Sequence, residues 1–185
     1  MKPIIRTLAI AAVLACAAGT AAEAQSAARE PSRSGVHLGL YLNQSTLPLS
    51  FAEATEWKLS PGFGIHAGYE YAPGASVFAR AGVTSSGGEY GVSHADVGLR
   101  LSLNDSESAL RPFIQGSVGT RGIPLEGSSS RARGFALTAG GGVEYFVSRT
   151  VAIEGGLSLS AGSINHSRVT PVVSGRFDVG VSWHP

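Results

Sequence analysis

The chain has 185 residues, room for one domain on the usual scale of ~100–200 residues per unit. It carries 25 glycines, 15% charged residues and no apolar run of the ~18 residues a spanning helix requires, which excludes the helical membrane class. A formal net charge of +1, with no clustered Lys and Arg, excludes the electrostatic footprint of a nucleic-acid binder.

Lys2 and Arg6 precede an apolar stretch from Thr7 to Ala18, and Ala22-Glu23-Ala24 has the form of an A-x-A cleavage site. Residues 1–24 therefore read as a secretory signal peptide, with Gln25 as the first mature residue. Loss of Lys2, Arg6 and Glu23 leaves the mature chain formally neutral. The single cysteine, Cys16, lies within the signal, so no disulfide staples the mature protein. A rival reading takes Val13-Leu14-Ala15-Cys16 as a lipoprotein processing box, with Cys16 acylated and 17–34 as a tether. Ala22-Glu23-Ala24 is the better cleavage site, and Leu14 is unusual at its position in such a box. Residues 25–34, with Pro31, form a flexible leader, and 35–185 form the domain.

From Val36 onward the pattern has period two, the signature of a strand between two different environments. The first strand is Val36-His37-Leu38-Gly39-Leu40-Tyr41-Leu42; the second sets Phe63, Ile65, Ala67, Tyr69 and Tyr71 against Gly64, His66, Gly68 and Glu70. A third, near 76–84, sets Val77, Ala79, Ala81 and Val83 against Arg80 and Gly82. A fourth, near 91–103, sets Ala95, Val97, Leu99 and Leu101 against Asp96, Gly98 and Arg100. The fifth, 112–120, alternates weakly. In the sixth Phe135, Leu137 and Val143 oppose Thr138, Gly140 and Glu144, and in the seventh Val151, Ile153 and Leu157 oppose Glu154, Gly156 and Ser158. The eighth sets Val173, Phe177, Val179, Val181 and Trp183 against Arg176, Asp178, Gly180 and Ser182.

Eight segments of about ten residues match the roughly 9–11 that a tilted strand needs to cross hydrocarbon, and an even number lets an antiparallel sheet close. The odd-numbered connections 43–61, 85–90, 121–133 and 161–170 are mostly longer than the even-numbered 72–75, 104–111 and 146–150, and the two sets are expected at opposite ends, the loop asymmetry of transmembrane barrels. The predicted fold is thus all-β, an eight-stranded antiparallel up-and-down transmembrane barrel. One face of every strand carries the charges and the other almost none, so Glu70, Arg80, Asp96, Arg100, Glu144, Glu154, Arg176 and Asp178 are expected to form a polar network filling the lumen. A soluble lipocalin-like cup has the same alternation inverted. The aromatic residues Tyr69, Tyr71, Tyr145 and Trp183 at strand ends favour the membrane form.

The phrases Gly68-Tyr69-Glu70-Tyr71-Ala72-Pro73-Gly74, Gly142-Val143-Glu144-Tyr145-Phe146-Val147-Ser148-Arg149 and Ile153-Glu154-Gly155-Gly156 resemble the strand–turn–strand units of the outer membrane protein β-barrel domain, the porin-like and OmpA-like group of small barrels. That resemblance implies a location in the bacterial outer membrane. It also implies partners in lipid and lipopolysaccharide, and in the barrel-assembly machinery that reads a terminal aromatic residue. Here Trp183 is followed by His184 and Pro185, which displaces that signal by two residues.

No cofactor motif is present: Gly140-Gly141-Gly142 lacks the Gly-Lys-Ser/Thr of a phosphate loop. Asn165-His166-Ser167, with Glu154, has the residue types of a lipid A deacylase, but adjacent His and Ser on a strand point to opposite faces. The same alternation splits Ser93 from His94 and Asp96. His37 and His66 lie on neighbouring strands, and with His94 would suit a metal only if a carboxylate joined them at ligand spacing. For surface contact the expected residues are Leu47, Phe51 and Trp57 in the apolar loop 43–61, and Arg121, Arg131 and Arg133 in loop 121–133, the arginines suited to lipopolysaccharide phosphates. The sequence thus predicts a non-enzymatic barrel with a structural or adhesive surface role. Its rivals are a lipid A-modifying enzyme, a small-solute pore and a soluble ligand-binding barrel.

Overall fold

Because alternate side chains of each segment seek different surroundings, the segments can be satisfied together only as one sheet with an inside and an outside. A computed structural model, which describes residues 35–47, 58–86, 90–104, 108–124, 131–165 and 169–185, shows that sheet closed on itself. Its strands are β1 (Gly35–Leu47), β2 (Lys58–Ala72), β3 (Ala75–Ser86), β4 (Tyr90–Ser102), β5 (Leu110–Pro124), β6 (Arg131–Phe146), β7 (Val151–Asn165) and β8 (Val169–Trp183). Each pairs antiparallel with the next, and β8 closes on β1 from Leu38↔Trp183 to Thr46↔Gly175. Closure leaves no unpaired edge, the condition a sheet must meet in lipid.

The register fixes the tilt. Following paired residues once around from Gly35, through Glu70, Ser76, Arg100, Gln115, Gly140, Ser158 and Arg176 to Ser45, the path returns to β1 displaced by ten residues. With ordinary strand spacing and rise, a displacement of that size over eight strands corresponds to a tilt of about 40°. Strands of 12 to 16 residues at this tilt are long enough to cross the apolar layer.

Several strands are longer than the alternation alone indicates. β3 extends to 75–86 where 76–84 is expected, β5 to 110–124 where 112–120 is expected, and β1 and β2 narrow the loop 43–61 to 48–57. The physical reason is that ladder hydrogen bonds do not require apolar side chains, so pairing continues beyond the apolar band into polar sequence. The tight turn after β2 is made by Gly74, which adopts φ +74°, a left-handed conformation that only glycine enters freely.

The outer wall is apolar: Leu40, Leu42, Phe63, Leu157 and Leu159 are between 64% and 70% exposed. Tyr69, Tyr71 and Trp183 ring the end that holds the tight turns and the C-terminal residues, called here the lower end. The buried side chains inside are largely polar, which overturns the inverted, lipocalin-like arrangement. Interior bulk is staggered so that large residues face glycines. Tyr41 is flanked by Gly64 on β2 and Gly180 on β8, with Gly82 one strand further. A Cβ at Gly64 would run into the Tyr41 ring and the Ala81 carbonyl. Gly64→Val is therefore expected to destabilise the barrel by about 1–3 kcal/mol through overpacking, measured by denaturant unfolding in lipid vesicles.

Candidate functional site: the polar interior and the upper rim

Period-two alternation delivers charged groups from six strands, β3 to β8, to one axis. Four arginines (Arg80, Arg100, Arg111 and Arg176) and four carboxylates (Asp96, Glu144, Glu154 and Asp178) are buried there, and Arg121 is half-buried. Charges withdrawn from water are tolerable only when paired. In the middle and upper interior Arg80 reaches Asp178 at 2.8 Å, and Arg176 reaches Asp178 at 3.1 Å and Asp96 at 3.8 Å. Arg121 pairs with Asp96 and donates to Thr138 at 3.0 Å and Ser160 at 3.4 Å. In the lower interior Arg100 reaches Glu154 at 3.0 Å, and the far carboxylate oxygen of Glu154 lies 3.4 Å from His66 Nε2.

Aromatic residues fill the space between the charges. Arg80 lies over the Tyr41 ring at 4.9 Å, Arg100 over Phe113 at 4.1 Å and Arg111 over Phe146 at 4.5 Å, each a cation–π arrangement. The Tyr41 hydroxyl bonds His94 Nε2 at 2.8 Å. Two interior cavities are small: about 20 Å³ beside Tyr41, His66, Arg80 and Glu154, and about 40 Å³ beneath the upper rim. The former has room for one water molecule.

The structure brings together seven of the eight residues expected in the lumen. Glu70 stands apart: it lies near the lower end and accepts a hydrogen bond from the Gly74 backbone at 3.0 Å, capping the β2–β3 turn. Arg121 is the clear correction. Expected on an outer loop, it belongs to β5 and points inward, because it keeps the parity of Arg111, Phe113, Gln115, Ser117 and Gly119. Arg133 lies on the outer wall near the top of β6, exposed, on the same face as Phe135. Leu47 ends β1 and Arg131 opens β6, while Phe51 and Trp57 lie outside the described residues, as do His166 and Ser167.

Several contributors had no place in the sequence-based network. Arg111 was missed because the outer face of β5 contains Gly116 and Thr120, which blunt the alternation that marks a strand. His184, beyond the final strand, turns its ring inward against His37 at 5.3 Å and Phe146 at 5.0 Å. It also meets Glu144 at 3.0 Å, and its backbone N–H bonds Thr150 at 2.7 Å. The residue that displaces the terminal aromatic thus clasps the C-terminus to the lower end. Ser93 faces away from His94 and bonds the Gly122 carbonyl at 3.4 Å. His37 and His66 meet edge-on at 5.8 Å, and no group of three metal-ligating residues has suitable geometry among the described residues.

Comparison with known proteins agrees with this architecture. No curated protein sequence matches the chain significantly. Among solved structures, Neisserial surface protein A superposes with a TM-score of 0.66 at 17% identity, covering 83% of this chain and 98% of that one. The N-terminal β-barrel domain of Pseudomonas aeruginosa OprF gives 0.54 at 13% identity, covering 80% and 96%. Ail, the attachment invasion locus protein of Yersinia pestis, gives 0.52 at 15% identity, covering 81% and 98%. At these identities the likeness concerns the fold. The family model for the outer membrane protein beta-barrel domain matches residues 8–184, so the chain belongs to that family and is a β-barrel of the bacterial outer membrane.

Proposed function

We propose that this protein is a non-conducting, non-enzymatic barrel that serves the outer membrane structurally and presents its upper loops to lipopolysaccharide and external partners. The observation that carries the reading is the filled interior: paired charges and stacked aromatics leave cavities of only about 40 and 20 Å³ among the described residues. The tight turns at the lower end support reading that end as periplasmic and the upper end as extracellular. Planar bilayers containing the purified barrel should show no steady conductance. A sustained single-channel current would replace this reading with that of a small-solute pore.

Among the described residues, the cluster that comes nearest to catalytic residue types, Ser182, His184 and Glu144, supports the non-enzymatic reading. One ring nitrogen, His184 Nε2, approaches both Ser182 Oγ at 3.2 Å and Glu144 Oε1 at 3.0 Å. A triad needs the two different nitrogens of the imidazole, and Ser182 is completely buried. Lipid A profiles from cells with and without the protein should be the same.

For surface contact the reading relies on Arg133, exposed on the outer wall near the top of β6, where a guanidinium suits lipopolysaccharide phosphates. Ail of Yersinia pestis has been solved in complex with the heparin analogue sucrose octasulfate, which supports including sulfated sugars among the partners tested. Cleavage after Ala24 completes the proposal. Intact-mass measurement of the membrane-extracted protein should show loss of residues 1–24, whereas an acylated N-terminal Cys16 would establish the lipoprotein form instead.

A further inference from the structure

The interior charges sort into two groups by height, and only one of them balances. In the lower group Arg100 and Arg111 stand with Glu144 and Glu154. In the upper group Arg80, Arg121 and Arg176 meet two carboxylates among the described residues, Asp96 and Asp178, leaving an excess of one positive charge. An unmatched cation inside low-dielectric walls is costly, and the field it produces is focused toward the space beside it.

That space is the cavity of about 40 Å³ beneath the upper rim. Its polar lining includes Thr84, His94, Arg121, Ser160, Ser174 and Arg176. The rest of its wall includes Val92, Ala136 and Ile164, three of the few buried aliphatic side chains of the interior. At roughly 10–15 Å³ of such space per water, it holds about three water-sized groups. We propose that this cavity binds a small carboxylate, of the size of formate or acetate. The carboxylate oxygens face the guanidinium groups of Arg121 and Arg176 and the hydroxyls of Ser160 and Ser174, and the alkyl end lies against Val92, Ala136 and Ile164.

Charge and surface select this class. One negative charge neutralises the excess, whereas sulfate or doubly ionised phosphate would reverse it and press oxygens against three aliphatic side chains. Chloride satisfies the charge but leaves the apolar wall unfilled. The site makes no use of conduction or of the loops, so it stands independently of the role proposed above.

The test is a titration of isotope-labelled protein in lipid nanodiscs with sodium acetate, at constant ionic strength held with sodium chloride, following the Ile164 methyl and arginine Nε–H signals. Saturable shifts are expected, with half-saturation on the order of millimolar, within reach of a ligand of about four non-hydrogen atoms. Ala136→Leu fills the cavity without touching a charge and should weaken the response at least tenfold. Arg121→Gln should do the same from the polar side, and serves if Ala136→Leu does not fold. Shifts that grow linearly without saturation, that persist in a folded variant, or that chloride reproduces alone would overturn the proposal.

Discussion

Replacing Asp178 with leucine is expected to destabilise the barrel by about 3–5 kcal/mol, the largest loss among single interior substitutions. Asp178 accepts from Arg80 at 2.8 Å and from Arg176 at 3.1 Å. Arg176 keeps a contact with Asp96 at 3.8 Å, but Arg80 has no other carboxylate partner among the described residues. Its guanidinium would then stay buried beside the Tyr41 ring with its charge uncompensated. The double variant Arg80→Met, Asp178→Leu removes both charges and should recover a large part of the loss. Such recovery is the behaviour of a pair whose worth lies in mutual compensation. Urea titration in lipid vesicles, read from the folded and unfolded gel bands of unboiled samples, measures both. A single-variant loss below about 1 kcal/mol would mean that the interior is wet enough to screen the charge, and the filled-lumen reading would fall with it.

The arrangement behind that prediction was legible in part. Arg80, Asp96, Arg100, Glu144, Glu154, Arg176 and Asp178 announce themselves because each interrupts an apolar row at a fixed parity, and parity alone determines the side of the sheet. Arg121 carries the same parity signal, but its segment follows Gly116, Gly119 and Thr120, where the contrast between faces is lost; extending the parity of Phe113 by eight residues would have placed it inside. Which charges meet is a different matter. Arg80 and Asp178 are 98 residues apart and meet because β8 closes on β1, so their pairing depends on the ten-residue displacement around the barrel. No local pattern encodes that displacement. The inward turn of His184 is illegible for a related reason, since strand alternation says nothing about a residue beyond the last rung.

The outer wall yields the complementary expectation, because there the cost of charge depends on depth and not on pairing. Val97 lies at mid-height on β4, between Ala79 and Val118, and faces outward. Arginine at this position should cost about 2–4 kcal/mol in lipid vesicles, whereas Tyr71→Arg at the lower rim should cost about 0–1 kcal/mol, because there the guanidinium reaches the interface. The two sites are comparably exposed, 58% for Val97 and 54% for Tyr71, so exposure cannot account for the difference. Only the surrounding hydrocarbon distinguishes them. The gap should narrow in bilayers with shorter acyl chains, as a thinner apolar layer brings the middle of β4 nearer to water. Equal costs at the two positions would mean that the mid-height wall does not sit at the centre of the bilayer, and the band bounded by Tyr69, Tyr71 and Trp183 would have to be shifted along the barrel axis.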